Sequence, residues 1–308
     1  MPSPADPTYT EAEVLGLVAR DHPALGATRA RHLSRGWDHD VFVVDEVWAF
    51  RFARHALAAA ALPLEQLLLP RLASQLPAAL PIIAWSGLIP GSSGLRYAGH
   101  RLLPGLSVCD AGWHAQPERR ATLALPLARF LRALHAIDPS ASGVPLAPEP
   151  LGRLDVARRG APARLVLDGL QAEGRLTADV VDALHTQLDQ SEHVPQPSEA
   201  PCFSHCDLHA RNLLVEPESP VFSLAVIDWV DMCLAQPAID LAVAFVLLPS
   251  YAREAFFAEY GPVSDPTRAW ARWRAITFMT AAYSGAQARG HTGFGETCRT
   301  ALRELATT

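Results

Sequence analysis

The chain has 308 residues, 49% of them apolar, enough to bury one large core or two modest ones, so one or two domains are expected. Its net charge of −6, with acids and arginines interspersed, argues against a dedicated nucleic-acid surface and leans toward cationic small-molecule partners. All 26 basic residues are arginine, which excludes a lysine-dependent P-loop, and no G-x-G-x-x-G occurs.

The N-terminus, MPSPADPTYT, lacks a basic start followed by an apolar run, so no secretory signal is expected. Thr10 and Glu13 form a capping box ahead of a short amphipathic helix carrying Val14, Leu17 and Val18. Ser34-Arg35-Gly36-Trp37-Asp38 reads as a loop with one glycine. From Asp40 to Arg54 the chain is rich in Val, Phe and Trp and breaks at Asp45-Glu46, the pattern of an antiparallel hairpin. Period-two alternation on its second strand places Ala49, Arg51 and Ala53 on one face and Trp48, Phe50 and Phe52 on the other. An arginine on such a strand needs a partner or a cleft. Glu65 is the natural candidate, on a helix expected to start near Pro63 and run through Leu67, Leu68 and Leu72.

Pro81 to Trp85 and Arg96 to Leu103 read as two further strands, and Pro104-Gly105 marks a boundary between residues 1–103 and 104–308. Beyond it the pattern is mostly helical: Leu123 to Ile137, two helices between Val156 and Leu188, then Ile239 to Leu248, Ala252 to Tyr260 and Pro266 to Arg289. The aromatic residues Trp270, Trp273, Phe278 and Tyr283 recur at near-helical spacing and read as core. Arginines and prolines interrupt each apolar stretch, so no membrane span is expected. The cysteines (Cys109, Cys202, Cys206, Cys233 and Cys298) are odd in number and irregularly placed, which suits a reduced cytoplasm better than a disulfide framework.

The stretch from Ser204 to Trp229 carries the chemistry. It spaces His205, Asp207 and Asn212 as H-x-D-L-x-x-x-N and ends in Asp228, with apolar runs on either side of EPESP expected to form a small hairpin. Phosphoryl transfer needs a carboxylate to orient the attacking hydroxyl, and an amide with a second carboxylate to hold Mg²⁺. His205 reads as a structural histidine rather than an acid-base group. A zinc reading of Cys202, His205, Cys206 and His209 leaves Asn212 and Asp228 unexplained. Asp231, Glu254, Glu259, Asp265 and Glu296 are acids near the expected acceptor side, and Asp231, Glu259 and Asp265 are the substrate candidates.

RGWDHDVFVVDEVWAFRFAR, EQLLLPRLA starting at Glu65, RYAGHRLLPG, LARFLRALHAID, SHCDLHARNLLV and IDWVDMCLAQPAIDLAVAF resemble, in order, the motifs of the aminoglycoside phosphotransferase family. The resemblance covers most of residues 30 to 250. It implies an α+β, bilobal, protein-kinase-like fold: a small N-terminal lobe with an antiparallel sheet and one main helix, and a larger, mostly helical C-terminal lobe. It implies Asp207 as the catalytic carboxylate, Asn212 and Asp228 as Mg²⁺ ligands, and Arg51 with Glu65 as the phosphate-positioning pair. Ala49, Ser34 and Leu103 join the nucleotide-binding set, and Asp240 supports the catalytic loop. Cys206 stands where the family usually has glycine, and Arg51 replaces the lysine typical of kinases. The function implied is ATP- or GTP-dependent transfer of a phosphoryl group to a hydroxyl of an antibiotic such as an aminoglycoside or macrolide. The alternatives are a kinase of an ordinary sugar or amino alcohol, or a catalytically silent binding module. Neither nucleic acid nor membrane is expected as a partner.

Overall fold

A computed structural model describes residues 8–142, 146–217 and 223–307. The first seven residues and the turn of the hairpin expected around EPESP lie outside them. Two compact units form: Met1–Pro104 with Ala225–Asp231, and Gly105–Leu224 with Met232–Thr308.

In the first unit, α1 (Glu11–Asp21) precedes β1 (Ala30–Arg35), β2 (His39–Val44) and β3 (Trp48–Ala53); α2 (Ala56–Ala73), β4 (Ile83–Leu88) and β5 (Arg96–Arg101) follow. The antiparallel sheet has the order β1-β2-β3-β5-β4. Thr10 and Glu13 close the capping box in both directions. Val14 and Val18 then pack on Phe42, Phe50, Phe52 and Tyr97. The opposite sheet face carries Arg51 and the small residues beside it. Asp45 and Glu46 make the hairpin turn with φ of 51° and 54°, left-handed geometry that fits the twist of the strands. Asp45 accepts hydrogen bonds from the Thr28 and Arg29 amides, and Arg31 forks onto Glu46.

Among the element boundaries that differ from expectation, two stand out. Ser34 and Arg35 are strand, because Ser34 pairs with Val41 and Arg35 with Asp40. The loop shrinks to Gly36, Trp37 and Asp38, closed by a hydrogen bond from the Gly36 amide to the His39 carbonyl at 2.8 Å. The edge-strand sequence ARHLSR shows no clean alternation, so only its pairing reveals it. Similarly, α2 starts at Ala56 rather than near Pro63, with the His55 ring accepting from the Ala58 amide. An alanine-rich run of strong helix formers carries the helix through Pro63. By length and composition α2 is apolar enough to cross a membrane, contrary to the sequence expectation. Here it packs beneath the sheet, through Leu62 against Ile83 and Ala98 and through Ala58 and Ala59 against Ala53.

The second unit starts with β6 (Leu106–Ser107), α3 (Pro117–Ala121), α4 (Ala124–His135), α5 (Val156–Ala172) and α6 (Ala178–Glu192). The short strands β7 (Cys202–Ser204), β8 (Leu213–Val215), β9 (Leu224–Val226) and β10 (Cys233–Ala235) follow, β9 leading into the 225–231 segment of the first unit. The helices α7 (Ala238–Leu247), α8 (Ser250–Tyr260), α9 (Asp265–Ala288) and α10 (Thr292–Ala306) complete the chain. Every residue of α7 is buried, as a helix apolar on all sides requires. The longer α9 packs on α5, α6, α7 and α10. Trp270, Trp273 and Tyr283 are core, as their spacing suggests. Sequence reading missed α10, whose Gly293 and Gly295 weaken the helical pattern even though Cys298, Ala301, Leu302 and Leu305 are buried along one face.

Candidate active site

Arg51 lies in mid-β3, opposite Val41 of β2 and Ala98 of β5. Its small strand neighbours Ala49 and Ala53 leave room for the guanidinium. From α2, Glu65 Oε2 accepts from Arg51 Nη2 at 2.6 Å, and the two side chains are only 8% and 0% exposed. Arg51 Nε and Nη1 and Glu65 Oε1 are buried with no hydrogen-bond partner among the described residues. An unsatisfied buried donor costs about 1–3 kcal/mol, so this guanidinium edge is suited to an anion absent from the folded chain itself. On the same face, burial and then the Arg51 charge hold His39 well below the ordinary histidine pKa and bring His100 down to about 3. Both imidazoles are therefore neutral. Ala49 is buried beside Arg51, Ser34 is exposed on edge strand β1, and Leu103 is half-buried just after β5.

In the second unit, β7 pairs with β10 and β8 pairs with β6, clamping the loop that holds Asp207 and Asn212. Asn212 donates from Nδ2 to the Asp207 carbonyl at 2.9 Å and to Asp207 Oδ2 at 3.1 Å. With its nitrogen so engaged, the amide turns its oxygen elsewhere. His209 Nε2 lies 3.4 Å from Asp207 Oδ2, and the Asp207 side chain keeps 27% exposure. Burial opposes ionisation of Asp207, yet His209, His205 and Arg153 together hold its pKa below the ordinary value. Asp207 is thus an ionised, acceptor-only group pinned on one side.

Asp240, in the first turn of α7, organises the loop backbone. Its Oδ2 accepts from the His205 amide at 2.8 Å and its Oδ1 from the Cys206 amide at 2.7 Å. His135, from α4, brings Nε2 to 3.3 Å of the same carboxylate. Burial resists both charges, but their mutual hydrogen bond lowers the Asp240 pKa and raises that of His135 well above the usual range. His205 is fully buried, and its Nδ1 accepts from the Asp207 amide at 3.3 Å. Cys206 has φ of 69°, left-handed geometry that costs a side-chain-bearing residue about 1–2 kcal/mol. This explains the glycine expected there. The two amide bonds to Asp240 and an Sγ contact of 3.4 Å with Cys233 compensate.

Asp228 also has positive φ, 65°, and lies in the 225–231 segment of the first unit. Buried Trp229 follows it and donates to the Val226 carbonyl at 3.0 Å. Among the substrate candidates, Glu259 is engaged by Arg129 and Arg132, Asp265 is exposed in the first turn of α9, and Asp231 is half-buried. Glu254 pairs with Arg268 and Glu296 with Arg299. No group of three or more His, Cys, Asp or Glu side chains among the described residues is placed to hold a metal.

Sequence reading missed Arg274. It is 6% exposed, its guanidinium lies 4.4 Å from the Phe278 ring centroid, and its charge acts on Asp207 and Cys206. Phe278 in turn contacts the His209 ring at 5.7 Å, with Phe294 at 5.0 Å on the same imidazole. Phe278 is thus a wall of the loop rather than simple core. Period-3.6 reasoning could not separate it from Trp270 and Trp273, because all three satisfy the same pattern.

The fold is shared with solved phosphotransferases. A GDP complex of aminoglycoside 2'-phosphotransferase-IIIa superposes with a TM-score of 0.70 at 20% identity, covering 97% of this chain and 99% of that one. Spectinomycin phosphotransferase APH(9)-Ia, in complex with ADP and spectinomycin, gives 0.65 at 17% identity, with 98% and 99% covered. Macrolide 2'-phosphotransferase MphH from Brachybacterium faecium gives 0.58 at 25% identity, with 94% and 97% covered. No curated protein sequence matches the chain. The family described as the phosphotransferase enzyme family matches residues 29–276, a range that contains Arg51, Glu65, Asp207, Asn212 and Asp228. With its kinase-like α+β fold and this match over most of its length, the chain belongs to that family of hydroxyl-directed phosphotransferases.

Proposed function

We propose that the protein transfers the γ-phosphoryl group of ATP or GTP to a hydroxyl of an antibiotic such as an aminoglycoside or macrolide. The observation that carries this reading is Asp207, ionised, partly exposed and pinned through Asn212 on a loop that Asp240 holds by its backbone. Nucleotides bound to the aminoglycoside and spectinomycin enzymes, GDP and ADP, support a purine nucleotide donor.

Each residue then has a defined task. Arg51 offers Nε and Nη1 to nucleotide phosphate oxygens, while Glu65 holds the fork in place. Asp207 orients the acceptor hydroxyl. As the new O–P bond forms and the bond to the leaving nucleoside diphosphate breaks, the hydroxyl proton passes to Asp207. With a lowered pKa it is a weak base, so the proton moves late. Asn212, through its amide oxygen, and Asp228 are hard oxygen donors suited to Mg²⁺, which neutralises phosphate charge when bound.

Asp207→Asn is expected to lower turnover by a factor on the order of 10²–10⁴ while nucleotide binding persists. Nucleoside diphosphate release, scored over aminoglycosides, macrolides and hydroxylated metabolites, identifies the acceptor; undiminished turnover in the variant would refute the role given to Asp207.

A further inference from the structure

Within the second unit, α6, α7, α8 and α9 border a cavity of about 410 Å³ that includes none of Asp207, Asn212, His205 or Asp240 in its lining. Its charged wall sets Arg253, Arg268 and Arg272 against a single acid, Glu254. Glu254 is 80% exposed and already engaged by Arg268 at 2.9 Å, and Glu304, whose charge also reaches Arg253, is forked onto Arg120. Arg268 and Arg272 stand one helical turn apart on α9 and share a face. Arg274, two residues on, turns away toward the Asp207 loop.

Arg253 is the decisive residue. It is 5% exposed, and its Nε donates to the Leu248 carbonyl at 3.1 Å. Both Nη1 and Nη2 are buried with no hydrogen-bond partner among the described residues. Phe245 flanks the guanidinium at 5.4 Å and also carries Arg272 at 5.3 Å, so the two cations share one ring. Burial lowers the Arg253 pKa only to about 10, which leaves it charged at neutral pH. Like charges gathered around a partly buried fork, with two donors unused, are costly unless an anion completes them.

We propose that this cavity is a second ligand site, separate from the Asp207 loop, that binds a small molecule through a phosphate dianion seated on Arg253. Arginine's planar fork matches phosphate oxygens in pairs, and a dianion answers more than one guanidinium. The cavity is far larger than the roughly 30 Å³ that one water occupies, leaving space beside the phosphate for a polar body against Gln190 and Ser250.

Thermal unfolding and titration calorimetry with inorganic phosphate and with ribose 5-phosphate, against chloride and acetate at matched ionic strength, test the site. Wild type and Arg51→Met/Glu65→Leu are expected to show saturable binding and a rise in Tm; Arg253→Met loses both, and Arg268→Gln weakens binding severalfold. A stronger response to the sugar phosphate assigns a phosphate ester, and an equal response assigns the free ion. The proposal is overturned by no saturable response beyond chloride in wild type, by binding that persists in Arg253→Met, or by its loss in Arg51→Met/Glu65→Leu. Should Arg253→Met fail to fold, undiminished binding in Arg268→Gln overturns it as well.

Discussion

At the scale of single residues, Asp240 has three donors converging on one buried carboxylate, and the pair it makes with His135 has a definite pH signature. The His135 pKa is raised in the folded protein, so its contribution to stability is complete below the unfolded histidine pKa of about 6.5 and is lost as pH rises through the folded value. Urea unfolding should therefore show the largest stability gap between wild type and His135→Gln near pH 6, shrinking as the solution becomes alkaline. A gap that widened with pH would mean His135 is neutral in the folded state. Cys206 permits a sharper comparison. Cys206→Ala and Cys206→Gly both lose the Cys233 contact, but only glycine relieves the left-handed backbone, so the glycine variant should be the more stable by about 1 kcal/mol in the same assay.

Among elements, α2 and β3 are joined by the Arg51–Glu65 pair as well as by apolar packing. Removing one member of a buried pair leaves the other charge without compensation, at a cost of about 3–5 kcal/mol. Glu65→Leu should therefore unfold at markedly lower urea than wild type, and Arg51→Met/Glu65→Leu should recover much of the loss while remaining impaired in phosphate transfer. Recovery of turnover along with stability would separate the pair from catalysis. The capping box of α1 is a smaller, local device: Thr10→Ala should cost about 1 kcal/mol, read as a lower Tm.

For the whole molecule, ligand linkage is the direct check on the proposed function. A nucleoside triphosphate at about 100 times its Kd should add about 2.7 kcal/mol of stability, with the larger Tm rise when Mg²⁺ accompanies it. An unchanged Tm with every nucleotide would remove the phosphotransferase reading of Arg51 and Asp228. The sequence by itself determined the β2–β3 hairpin and its two faces, the helical run of the second unit, and the order of Arg51, Glu65, Asp207, Asn212 and Asp228. These are local properties: strand and helix periodicity follow from backbone geometry, and the spacing of His205, Asp207 and Asn212 lies within the single loop between β7 and β8. Only the tertiary structure decided which distant groups support them. Asp240 grips an amide 35 positions earlier in the chain and His135 lies 105 positions away, distances at which no periodicity operates. Arg274 and Phe278 against the Asp207 loop, the return of the Asp228 segment to the first unit, and the arginine-lined cavity all arise the same way. The first and the last come from helices packing side by side and the second from a backbone bridge between Ala79 and Ala225, choices made by whole faces and segments rather than by any residue's neighbours in sequence.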